Sequence, residues 1–438
     1  MSNATVAALG LSIPIIVWAA TMRAISGTWL HPGAFFALWW CFAGIIPILI
    51  APEEYVSVGA VVWVFFAAIA MSLGAAAGNG GFKTLHLRAP IPPSQAELRL
   101  LSAILAAAVI LGLASVLASV IEAGIPLSDI FNIQRIVIVA NQMYVSQHVQ
   151  VQETSRGVTQ VLLPFVYLAP AIGGIVFVSR RRFIWRLLSL ASLIPPLMVT
   201  VIQTTKAATL FSVTLWLCGY FGTRLRAGKL AVFTKPHLLL GVFLGVAGIG
   251  LFLATSLARV ASTDVGLVGM AAGKLFGAAF GHMTVFSQWL RDYWSQPFSP
   301  TLGAFTFAGP LELAGAAKRT PGLFESLVEL VTGDTSNIYT GFRHLIQDFT
   351  LPGAFAALAV TGFVGGVSFR KVANGNGRWL PLLMGTYATI MWTPITWFWV
   401  YNSLTATLVI LGLIAFVIRK PRSNALHWSG SRNPIVST

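Results

Sequence analysis

The sequence predicts an all-α polytopic integral membrane protein, with about eleven transmembrane helices and a large loop region on one side. Three observations carry this. First, hydrophobic residues make up 56% of the 438 residues, charged residues make up only 9%, and the mean hydropathy is +0.79. Soluble domains carry about 25% charged residues, so that class is excluded, as is disorder. Second, the apolar residues come in long runs and fill every face of most of them. Strands of a membrane barrel would instead alternate over about ten residues. Third, the charges are sorted by loop. The net charge of +15 is thus a membrane signal, and no nucleic-acid partner is expected.

A helical span needs roughly 20 mostly apolar residues. Such runs lie near 4–21, 33–51, 58–79, 99–121, 159–179, 187–202, 207–222, 237–256, 350–369, 379–399 and 403–418. The first lacks a basic leader and a small-residue cleavage site, so it reads as a retained helix. Pro14, Pro47, Pro164, Pro195, Pro196 and Pro394 fall inside spans. A bundle tolerates them because neighbouring groups satisfy the freed carbonyls. Gly241 with Gly245, and Gly362 with Gly366, have the spacing of close helix packing.

Most of the 28 basic residues fall on one side, among them Arg180, Arg181, Arg182, Arg186, Arg224, Arg226, Arg370 and Lys371. Only Glu97 of the 13 acids joins them. The positive-inside rule makes that side cytoplasmic, with the tail 419–438, and puts the N-terminus outside. The short basic loops anchor the helices against anionic membrane lipid.

The outer side holds two segments too long for simple turns, 122–158 and 257–349. Long loops in compact proteins usually carry function. Both set isolated cations among aromatic residues: Arg135 and Arg156 in the first, Arg259 and Arg343 in the second, with Lys206 at the mouth of a helical hairpin. Arginine's planar fork can grip two phosphate oxygens at once. Trp289, Tyr293 and Trp294 can stack on sugar faces or form the interfacial belt. Cys41 and Cys218 lie within apolar runs and build neither a disulfide framework nor a zinc site. No nucleotide loop, metal-ligand spacing or nucleophile elbow occurs, so no metal and no cofactor is expected.

Read as a helix, 337–349 sets Ile338, Phe342, Leu345, Ile346 and Phe349 on one apolar face. Tyr339, Arg343 and Gln347 form one polar stripe, and Thr340, His344 and Asp348 another. His344 and Asp348, one turn apart, could deprotonate a hydroxyl. Alternatively, Asp348 orients the turn before Pro352 and His344 sits in the interface. Arg343 has no acid at i−4 or i+4, so no local ion pair explains it.

The stretch from Leu302 to Phe349 includes Gly303-Ala304-Phe305-Thr306-Phe307-Ala308-Gly309-Pro310, Gly322-Leu323-Phe324-Glu325 and Asn337-Ile338-Tyr339-Thr340-Gly341-Phe342-Arg343. It resembles the oligosaccharide repeat-unit polymerases, the O-antigen polymerase (Wzy-type) family, in which a long outer loop ends in an Asn-x-Tyr-Thr-x-Phe-Arg…Asp-Phe-Gly pattern. Thr350 stands where that family tends to have glycine. The resemblance implies a C-type membrane glycosyltransferase fold in the bacterial inner membrane, working without metal at the periplasmic face. It implies an undecaprenyl-diphosphate-linked oligosaccharide as substrate and a chain-length regulator protein as a partner. Arg343, Asp348 and His344 would then be catalytic, and Lys206, Arg135, Arg259, Arg156, Tyr339 and Asn337 would bind substrate. A ligase of the same glycan has a His-Asn pair where this chain has Tyr339-Thr340. A flippase or transporter would need a polar path through spans that are nearly free of charge.

Overall fold

The computed structural model describes residues 3–82, 94–130, 132, 135, 138–142, 157–204, 206–231, 234–259, 268–295, 299–317, 324, 326–331, 333 and 335–418. Among them the chain is almost wholly helical. Seven helices are long and apolar enough to cross a membrane. The first four are α1 (Asn3–Ser26), α2 (Pro32–Ile50), α3 (Val58–Asn79) and α4 (Gln95–Glu122). After the short α5 (Leu127–Ile130), α6 (Val158–Ser179) is the fifth.

The sixth is broken into α7 (Phe183–Ala191) and α8 (Ile194–Ile202). The break falls just before Pro195 and Pro196, which suit the first turn of a helix because their missing N–H groups would find no helical acceptor there. Other boundaries are equally local. The Ser57 hydroxyl caps α3 by accepting the Ala60 N–H, and Gly80 ends it at φ 87°. Ser94 and Glu97 close a reciprocal capping box at the start of α4.

Four expected spans, 207–222, 237–256, 379–399 and 403–418, fall outside these seven helices. The 207–222 run lies in α9 (Lys206–Arg226), which carries Lys206, Arg224 and Arg226 at its ends. The 237–256 run lies in α10 (Lys235–Arg259), whose apolar part is the shorter Gly245–Leu257. Among its described residues, the 257–349 segment contains α11 (Val268–Phe280), α12 (His282–Ser295) and α13 (Ala308–Leu313). A small antiparallel pair follows, β1 (Val328–Glu329) on β2 (Thr335–Ser336).

The seventh long helix is α14 (Thr340–Ala373). The 379–399 run is not one helix. A 3-10 turn (Gly377–Trp379) leads into α15 (Leu380–Trp392), and a second 3-10 turn (Phe398–Val400) precedes α16 (Asn402–Ile418). Pro394 has no N–H with which to continue the α15 ladder. The Ile390 carbonyl left without its helical donor accepts the Thr393 hydroxyl at 2.8 Å, and the Thr393 carbonyl accepts the Gly341 N–H at 2.6 Å.

The tightest helix contact joins α3 to α14. A Cβ on Gly362 would overlap the Met71 carbonyl oxygen, and one on Gly366 the Ala75 carbonyl oxygen. From the other side, Gly74 meets Ala359 and Gly78 meets Phe363. Dispersion and close backbone approach replace the hydrophobic drive that lipid cannot supply.

α14 is bent. Thr350 takes φ 66°, ψ 176°, a region almost reserved for glycine. Phe342 before the bend and Phe355 after it both lie against the Trp63 indole, at centroid distances of 6.0 and 4.1 Å. The expected helix over 337–349 therefore begins at Thr340 and does not run straight on into the next one.

The charged helix ends gather at one end of the bundle. There Glu97 of α4, Arg226 of α9, Gly377 and Ile418 of α16 line a single pocket. The segment that carries Arg343 lies toward the other end, where the loop after α2 reaches α12 through the Ser57 N–H, which donates to the Ser287 hydroxyl at 3.0 Å.

Candidate functional site

Residues Thr340–Phe349 form the first segment of α14, and their burial fixes the site. Phe342 is fully buried. Its ring stacks on Trp40 at 4.7 Å and also meets Phe286 at 5.8 Å. Gly341 is tightly seated: a Cβ there would sit 3.1 Å from the Thr396 carbonyl oxygen. With these two residues clamped, the next side chain, Arg343, has a set direction.

Arg343 lies in a cage of aromatic rings. Its guanidinium carbon is 3.6 Å from the Phe324 ring centroid, 4.0 Å from that of Tyr339 and 5.4 Å from that of Trp289. Nη1 donates to the Ser326 hydroxyl at 3.4 Å. Nε is buried and has no hydrogen-bond partner. Stacked rings attract the cation through their quadrupoles and hold the guanidinium plane without using its N–H donors.

The cage is braced from behind. The Tyr339 hydroxyl donates to the Ser326 carbonyl oxygen at 2.9 Å and also lies 2.8 Å from the Ser326 hydroxyl. The Asn337 side-chain amide donates to the Phe324 carbonyl oxygen at 3.2 Å. Arg343, Tyr339 and Asn337 thus belong to one cluster.

Asp348 is fully buried and already engaged. Its carboxylate accepts from the Thr301 hydroxyl, from the Phe305 N–H at 3.2 Å and from the Thr306 N–H. In addition, the Leu302 N–H donates to the Asp348 carbonyl oxygen at 3.1 Å. The 301–306 turn is thereby stapled to the last turn of the segment. His344 is buried, with neither ring nitrogen hydrogen-bonded, and its ring lies 4.8 Å from that of Phe324. The His344–Asp348 couple suggested by their spacing is therefore not hydrogen-bonded.

Two of the other candidate cations are engaged elsewhere. The Lys206 Nζ donates to the Ser256 hydroxyl at 2.7 Å and lies 3.1 Å over the Phe252 ring, both on α10. Arg135 pairs with Asp129 at 2.8 Å, in an exposed contact of the kind that contributes at most about 1 kcal/mol. Arg156, the side chain of Arg259 and the tail 419–438 lie outside the described residues.

Two contributors were not singled out as site residues from sequence. Phe324 and Ser326 form the wall over Arg343, and the only sequence signal for them was their place in or beside the Gly322–Glu325 stretch. Glu54 is buried, and its Oε1 accepts the Val331 N–H at 2.9 Å, tying the loop after α2 to the β1 edge. No protein-family model, curated protein or solved structure matches the chain.

Proposed function

We propose that this chain is a multi-pass glycosyltransferase of the bacterial inner membrane. It would cross the membrane about eleven times and polymerise undecaprenyl-diphosphate-linked oligosaccharide units at the periplasmic face. The growing glycan leaves its lipid diphosphate and joins a hydroxyl of a newly arrived lipid-linked unit. The glycosidic carbon loses its bond to the diphosphate oxygen and gains one to the acceptor oxygen, and the acceptor proton is released. The charge asymmetry of the loops supports the orientation, and the Asn337–Arg343 pattern supports the family.

The observation that carries the reading is the aromatic cage around Arg343. Phe324 and Tyr339 hold the guanidinium by its faces, and no described acid pairs with it. A fork held this way is preorganised for an anion. Charge develops on the departing diphosphate in the transition state, and one such donor is typically worth about 3 kcal/mol. Asp348, its carboxylate saturated by the 301–306 turn, serves as a positioning residue. Tyr339 and Asn337 hold the cage wall.

Arg343→Ala should abolish the polymer ladder and leave single-unit glycan, with normal amounts of protein in the membrane. Arg343→Lys keeps the charge but loses the fork, and turnover should fall at least ~10-fold, about 1.4 kcal/mol. A normal ladder from a normally expressed Arg343→Ala variant would end this reading. Loss of ligation with polymerisation intact would point to the ligase instead.

A further inference from the structure

Arg226, at the charged end of the bundle, plays no part in the proposed reaction. It closes α9, and its Nε and Nη2 are buried without hydrogen-bond partners. Arg226 is half-buried, and these two buried N–H donors leave its guanidinium able to take an acceptor. The backbone beside it is cut to fit: a Cβ on Gly377 would press within about 3 Å of the Arg226 guanidinium.

Arg226 lines a pocket of about 50 Å³ between the ends of α4, α9, α15 and α16. The other walls are almost all apolar, including Leu101, Leu411, Ile414 and Ala415. Glu97 is the one acid among the lining residues, and its Oε2 accepts the Ser94 N–H at 2.6 Å in the α4 capping box. At the rim, the Arg378 guanidinium lies 5.1 Å over the Phe416 ring, on the helix that supplies Ile414 and Ala415. The chain after Ile418 contains no Asp or Glu side chain that could neutralise Arg226.

A guanidinium backed by an apolar wall, with a second cation at the rim, fits an amphiphile better than a free ion. We infer that this pocket binds an anionic phospholipid, with its phosphate on Arg226 and an acyl chain along Leu101, Leu411 and Ile414. The site is separate from the Arg343 cage and does not rest on the proposed polymerase activity.

The test uses the purified full-length protein in neutral detergent, with thermal unfolding followed as lipid is added. Phosphatidylglycerol should raise the midpoint by at least about 3 °C, and neither phosphatidylcholine nor inorganic phosphate should do so. Arg226→Gln should remove that rise and also the anionic lipid retained on the protein in native mass spectrometry. Ala415→Phe, which fills the apolar wall and leaves every charge in place, should reduce it. Lys371→Gln, which removes an exposed cation from the same end, should leave it intact. If Arg226→Gln proves unstable, the Ala415→Phe and Lys371→Gln pair decides alone. An equal response to inorganic phosphate would make this an ion site. An equal loss with Lys371→Gln would reduce it to diffuse attraction. An unchanged response in Ala415→Phe, or in a folded Arg226→Gln, would also overturn the proposal.

Discussion

Gly362 and Gly366 in α14 share their spacing with Gly241 and Gly245 in α10, yet the two pairs end up in opposite surroundings. The α14 pair is pressed into the backbone of α3, where neither position has room for a methyl group. The α10 pair meets no described atom within 4 Å of where a Cβ would stand. Its helix exposes Leu239, Val242, Val246 and Ile249. A glycine every fourth residue permits two backbones to approach. Whether they do depends on the opposite surface. α3 answers α14 with small residues of its own, Gly74, Ala75 and Gly78. The comparison teaches that this spacing is half of a contact, legible only when the complementary half is found.

The largest effect should come from filling the tight side. Gly366→Leu should cost more than about 3 kcal/mol through overpacking and forced backbone shifts, seen as loss of monodisperse protein in detergent. Normal yield and midpoint from that variant would mean that α3 and α14 are not in this register. An intermediate effect separates approach from conformation. Thr350 holds a backbone geometry that costs a non-glycine residue about 1–3 kcal/mol, with open space no part of the problem. Thr350→Gly should therefore stabilise the protein by roughly 1 kcal/mol, after allowing for glycine's greater freedom in the unfolded chain. A lower midpoint would show that the Thr350 side chain contributes more than its backbone costs. The smallest effect belongs to α10, where Gly245→Leu should change stability by no more than about 0.5 kcal/mol. A large loss there would reveal a surface that α10 packs against.

Much of the architecture is legible in the sequence because lipid imposes one dominant rule on composition. Runs such as Val58–Asn79 and Val158–Ser179 read directly as helices. The 379–399 run misleads because hydropathy is blind to a turn made from Thr393, Pro394 and Trp397. Pro394 was the only sign, and proline also occurs inside intact helices here, as at Pro14 and Pro47. In the site, the sequence showed that Arg343 lacks a local acid. It could not show what replaces one, since Phe324 and Trp289 come from separate segments brought together only by the clamping of Phe342. Spacing alone allows His344 to pair with Asp348. The fold turns Asp348 toward backbone N–H groups at 305 and 306, which no periodicity encodes.

The staple made by Asp348 also bears on how such a protein could change. After the 301–306 turn, α13 packs Gly309 against the Tyr401–Asn402 backbone, and the chain re-enters α14 at Thr340, so one carboxylate joins two segments distant in sequence. Residues 314–336 between them carry none of the bonds that Asp348 makes to the turn. That same stretch supplies Phe324 and Ser326, the wall against the guanidinium. The molecule therefore separates a frame held by Asp348 from the wall that faces Arg343. Exchanging residues 314–336 should therefore alter the cage around Arg343 and leave the Asp348 staple intact.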